Sequence, residues 1–284
     1  MEITALLCGL AIGVLVCTWI ADKVDIPAPF VLIVAGVVAS YAPGVPEVEL
    51  SEEVVLFGLL PPLLYAAAQG TSLVDFRVNK RPILLLSVGL VAFTALGVGV
   101  VAHELVPGIS WPIAFAIGAV VAPPDAVAAT AIGRRIGLPR RLVTILEGES
   151  LLNDATALVA LGTALAVAAG DGFSYTHVGL DFVIKAGGGV LVGFLVFLVV
   201  AKVRRYLTDP VMDSGMSLVV PFAAYVAAEE LEASGVIAVV VAGLLLGHKA
   251  PVLQTAQSRI AERLNWRTIA FVLENTVFLL IGLQ

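Results

Sequence analysis

Apolar residues run in long stretches along this chain, broken by short polar segments, and the pattern repeats to the last residue. The runs fall at about 3–21, 27–44, 53–72, 82–103, 111–132, 141–168, 178–201, 213–230, 234–248 and 267–284. Most are close to the ~20 residues that a helix needs to cross the hydrocarbon of a bilayer. The spacing predicts an all-α, polytopic membrane helix bundle of about ten transmembrane helices. The ninth run is the shortest and is expected to tilt or to enter the membrane only part-way. No Lys or Arg precedes the first run, whereas a cleaved leader carries a positive front segment, so the first run is read as a retained helix.

The basic residues give an independent count. Lys23 follows the first run, Arg77, Lys80 and Arg81 the third, and Arg134, Arg135, Arg140 and Arg141 the fifth. Lys202, Arg204 and Arg205 follow the seventh, and Lys249, Arg259, Arg263 and Arg267 the ninth. The intervening loops hold no Lys or Arg, and one is acidic, with Glu47, Glu49, Glu52 and Glu53. Alternation of this kind is the positive-inside pattern, and it predicts an outside N-terminus in a multi-pass protein of the plasma membrane. The remaining basic residue, Lys185, lies in the seventh run one turn after Asp181 and is read as its ion-pair partner near the outer interface.

Composition agrees. Of 284 residues, 60% are hydrophobic and 13% charged, which leaves no surface for a soluble domain. No basic cluster with interleaved aromatics suits nucleic acid. Cys8 and Cys17 share the first run and are read as small buried apolar residues without metal spacing. His103, His177 and His248 fall at span ends, where solvation is expected. No nucleophile elbow, phosphate loop or zinc motif marks an enzyme, and no cofactor is implied. Gly187, Gly188 and Gly189 are read as sites of close helix packing, and Pro61, Pro62 and Pro221 as kinks.

Ionised groups in mid-membrane are the informative exceptions, since each costs at least ~2.5–3.5 kcal/mol on insertion scales. In the fifth run, Pro123 and Pro124 remove backbone donors and break the helix, leaving freed carbonyls and a fresh helix start at Asp125. Broken helices at the midplane are a recurrent ion-site device. Asp125 is thus a candidate ion ligand, or simply the cap of the second half-helix. In the sixth run, Asp154 lies 13 residues beyond Arg141, roughly 20 Å deep at the helical rise. Ser150 and Glu147 precede it on nearly the same face and form a polar track. Asn153 adjoins Asp154, while Glu149 points elsewhere and is read chiefly as part of a structural polar network. Glu274, with Asn275 and Thr276, lies in the tenth run as a pore-side carboxylate or a partner for a basic residue.

These segments resemble a known family. EGESLLNDATALV (147–159), preceded by APPDAVAATAI (122–132), is similar to the monovalent cation/proton antiporters that include the sodium/proton exchangers. LLPPLLYAAA (59–68) and ENTVFLLIGLQ (274–284) resemble two further segments, in order along almost the whole chain. The resemblance implies exchange of Na⁺, or of K⁺ or Li⁺, for protons. It implies that Asp154 is the ion- and proton-binding aspartate, with Asn153 beside it, Asp125 in the unwound helix and Ser150 as a site hydroxyl. Metal contact would then come from Asp154, Ser150 and Asp125, helped by a carbonyl near Pro123 or Pro124. The resemblance also implies that Glu149 pairs with a later arginine, that Glu274 is a membrane glutamate, and that the protein is a homodimer.

Two departures stand out. Ala66 occupies a position where some members carry glutamate. The family's last spans have no counterpart, and the abrupt stop at Gln284 is expected of a C-terminally truncated transporter. The chain is read as one transmembrane domain, with a first six-helix half over about 1–170 and an incomplete second half of the inverted repeat over 171–284. Other classes fit the same spans: an inactive fragment, a membrane scaffold or sensor, or an ion channel. Flux across an imposed pH gradient separates them.

Overall fold

The structure, a computed structural model, describes residues 2–41, 51, 53–124, 129, 132–133, 136–169 and 175–284, with backbone alone for 2–7 and 175–182. The helices are α1 (Glu2–Val24), α2 (Ala28–Ser40), α3 (Val54–Gly70), α4 (Leu73–Val78), α5 (Lys80–Leu105) and α6 (Trp111–Val121). They continue as α7 (Arg140–Ala168), α8 (Tyr175–Arg204), α9 (Pro210–Glu229), α10 (Gly235–Leu253) and α11 (Ala256–Leu283). No strand occurs among the described residues. Six of these helices are long and apolar enough to cross a membrane, and α2, α3 and α6 are shorter apolar ones.

Most expected runs coincide with helices, with two informative shifts. The ninth run is not short: α10 spans 19 residues. The last helix begins at Ala256, eleven residues before the apolar run, because Ser258, Glu262 and Trp266 recur every fourth residue and are all buried. Hydropathy misses this turn-by-turn burial of polar groups.

Proline shapes the third run. Pro61 and Pro62 open the regular part of α3, and the segment before them, Val54–Leu59, is wound as a π-helix. Neither ring can donate to the preceding turn, so the carbonyls there find partners one residue further on. A second π segment, Leu85–Leu90, follows Pro82 in α5 and packs on α7.

Small residues set the closest crossings. A Cβ on Gly36 of α2 would lie 2.8 Å from the Gly282 Cα of α11. On α8, a Cβ on Gly189 would lie 2.6 Å from the Ser234 carbonyl at the start of α10, as close packing requires, whereas Gly187 faces open space. The largest core joins Tyr65, Leu151, Ala155, Val239, Leu246 and Trp266, and α7 packs there against α3 and α10. Many large apolar side chains face outward instead, Phe93 at 75% exposure and Leu85 at 70%, as lipid-facing surface does.

Two smaller expectations are corrected. Cys17 is buried, but Cys8 is exposed on the outer face of α1. His103 is not simply solvated: its ring stacks on Trp111 at 3.8 Å, and Nδ1 lies 3.0 Å from the Ile109 carbonyl.

Candidate ion-exchange site

The site is built where α6 stops and α7 passes. Helix α6 ends at Val121, and Pro123 and Pro124 carry the chain out of helical geometry. Asp125 lies outside the described residues, so the expected approach of Asp125 to Asp154 is not part of this geometry.

On α7 the polar residues divide between two degrees of burial. Glu149 is 3% exposed and Asn153 fully buried, whereas Glu147, Ser150 and Asp154 are half-buried. The Asn153 side-chain amide donates to the Glu149 carboxylate at 3.1 Å and to the Pro124 carbonyl at 3.3 Å. Its carbonyl oxygen accepts from the Asp154 backbone N–H at 2.6 Å. One asparagine thus ties the broken end of α6 to the unbroken α7 at the residue before Asp154. It also engages one of the two carbonyls expected to face a cation, leaving that oxygen a second lone pair. Glu147 and Asp154 both have interaction partners. About one turn before Asn153, Gly148 packs against the Ile83 and Phe76 side chains, where a Cβ would stand 2.6 Å from the Ile83 Cδ1.

Glu274 lies apart from this group. It is half-buried on α11 and lines a cavity of about 700 Å³ with Ala66, Gln69, Gln254, Glu262 and Trp266. Asp154, Ser150 and Asn153 do not line that cavity. Asn275 turns back, donating to the Phe271 carbonyl at 2.7 Å.

Sequence reasoning missed a second polar centre. Arg204, read as a loop residue, is 1% exposed. Its guanidinium sits 3.1 Å from Asp213 of α9 and 2.8 Å from Glu262 of α11. Gln254 donates to Asp213 at 2.9 Å and also to Glu262, and Gln69 of α3 donates to Glu262. Trp266 donates from Nε1 to Ser217 at 3.2 Å beside this group. The positive-inside count hid Arg204, and Glu262 was masked by its basic neighbours. The one available signal was the four-residue recurrence of Ser258, Glu262 and Trp266.

The sequence pattern of the transmembrane sodium/hydrogen exchangers matches residues 10–284. The chain belongs to the sodium/hydrogen exchanger family. An uncharacterized Na⁺/H⁺ exchanger of Mycobacterium tuberculosis is 36% identical over 277 residues, covering 97% of this chain and 50% of the relative. A sodium, potassium, lithium and rubidium/H⁺ antiporter of Bacillus pumilus is 33% identical over 266 residues, covering 91% of this chain and 40% of its own length. The chain therefore spans about half the length of the exchangers it matches. The sodium proton antiporter MjNhaP1 from Methanocaldococcus jannaschii superposes with a TM-score of 0.78 at 19% identity, over 100% of this chain and 71% of that one. The chain is thus a multi-pass membrane protein with the antiporter fold.

Proposed function

We propose that this chain acts as a secondary active antiporter that swaps a monovalent cation, Na⁺ foremost and K⁺ or Li⁺ as alternatives, for protons. The observation that carries the reading is the Asn153 bridge from Pro124 to α7, which sets Asp154 beside the end of a broken helix. A proton and a partly dehydrated cation then compete for the same Asp154 oxygens. Hard cations take oxygen ligands, and Ser150 supplies a hydroxyl one turn before Asp154. Asp125 joins them on the strength of sequence. Competition for one carboxylate, with access alternating between the two sides, gives antiport.

Asn153 holds an amide where a second carboxylate would add charge, which favours electroneutral exchange. Glu149 and Glu147 support the site electrostatically, and Glu274 serves the cavity on α11. In our reading it works in the plasma membrane with its N-terminus outside, as a homodimer, on the strength of the basic-loop alternation and the family resemblance. The test is Asp154→Asn in proteoliposomes of the complete protein. Loss of cation flux driven by a pH gradient, with normal incorporation, supports the assignment, and retained flux refutes it.

A further inference from the structure

Three guanidiniums on one helix face are left over by the exchange site and by the buried Arg204 group. Arg259, Arg263 and Arg267 recur every four residues on α11 and so share a face. With Ala256, Ile260 and Leu264 they make up the lining of a cavity of about 530 Å³. The same arginines border the larger cavity that holds Glu274. The lining of the smaller cavity contains no carboxylate. Glu262, the nearby acid on this helix, turns inward to Arg204. Among the described residues neither Arg263 nor Arg267 enters an ion pair, and the buried Nε of Arg259 has no acceptor. Like charges one turn apart repel, so this face calls for an anion from outside the fold.

The apolar neighbours narrow its chemistry. Ile260 is 71% and Leu264 61% exposed, in the same lining as the guanidiniums. A small oxyanion would satisfy the arginines, whose forked donors suit phosphate, but would leave both side chains bare. A monovalent cation on its way to Asp154 would be repelled. The length of α11 places the face: its 28 residues span about 42 Å, whereas the hydrocarbon takes up only about 30 Å. The first two or three turns, with Arg259 and Arg263, therefore stand in the headgroup layer, on the side to which the basic loops point.

We propose that the N-terminal half of α11 is a binding site for an anionic phospholipid, its phosphate held by Arg259, Arg263 and Arg267 and its acyl chain laid along Ile260 and Leu264. The test is native mass spectrometry and thermal unfolding of the whole chain, purified in mild detergent, with phosphatidylglycerol, phosphatidylcholine or inorganic phosphate added. The expected result is retention of phosphatidylglycerol at least about tenfold over phosphatidylcholine, with a matching rise in melting temperature. Arg263→Gln/Arg267→Gln should remove that preference, while Arg77→Gln/Lys80→Gln, on α4 and α5, keeps it. Ile260→Ser/Leu264→Ser, with the arginines intact, should weaken lipid retention several-fold. Equal retention of the two lipids, an unchanged preference in the α11 arginine variant, or protection by inorganic phosphate equal to that by phosphatidylglycerol would each overturn the proposal.

Discussion

Asn153 and Pro124, 29 residues apart, are joined by a 3.3 Å hydrogen bond from the asparagine amide to the proline carbonyl. That carbonyl is available because the chain leaves helical geometry there. The same amide also serves buried Glu149. Local helix breaking and tertiary packing meet at one side chain, next to Asp154.

Asn153→Ala removes both donations and leaves the Glu149 carboxylate buried without this donor. The expected cost is about 1–3 kcal/mol, the range for an orphaned buried polar group. Thermal unfolding in detergent should show a lower midpoint, and Asn153→Gln should not restore it, since its longer arm overshoots both acceptors.

Arg204→Met leaves Asp213 and Glu262 as two uncompensated carboxylates in a buried site. Breaking one side of such a group costs about 3–5 kcal/mol, whereas neutralising all members is far milder. The triple variant Arg204→Met/Asp213→Asn/Glu262→Gln should therefore melt well above the single variant. A triple variant no more stable than Arg204→Met would show that charge balance is not what the group provides.

Gly118→Val tests the α5–α6 contact. A Cβ there would fall on the Ala95 backbone, 2.9 Å from its carbonyl carbon. Backbone cannot yield as a side-chain tip can, so overpacking of about 1–3 kcal/mol or more is expected. Gly97, on α5 with nothing within 4 Å, should accept the same change with little loss of folded yield.

Competition at Asp154 fixes a sign for pH. The cation binds only the deprotonated carboxylate, so the apparent KM for Na⁺ rises as pH falls. Below the carboxylate's own pKa the rise approaches about tenfold per pH unit by mass action, with maximal rate at saturating Na⁺ less affected. Flux measured against Na⁺ at several symmetrical pH values checks this, and a KM independent of pH would rule out a shared site.

Much of the membrane architecture was legible because the bilayer imposes it. A spanning helix must be apolar over a fixed length, and basic loops alternate, so α5, α7, α8, α9 and α10 stand out in the hydropathy alone. The Pro-Pro break was legible for a local reason, the missing N–H groups of Pro123 and Pro124. The start of α11 was not: over 256–266 the chain is too polar for a hydropathy reading, and only the inward pairing of Glu262 with Arg204 explains why the helix continues there.

Hydropathy and the order of charges along the chain suffice to put it in a membrane, to show roughly where it crosses, and to pick out the carboxylates that stand where lipid would exclude them. Those facts follow from the cost of moving each residue out of water, which is a property of the residue and its immediate neighbours along the chain. Packing in three dimensions was needed to show that Asn153 reaches Pro124, that Arg204 joins a buried pair of acids, and that Glu274 lines a cavity that Asp154 does not. Each depends on groups tens of residues apart arriving at the same point, and periodicity within one helix carries no information about which neighbour will be there.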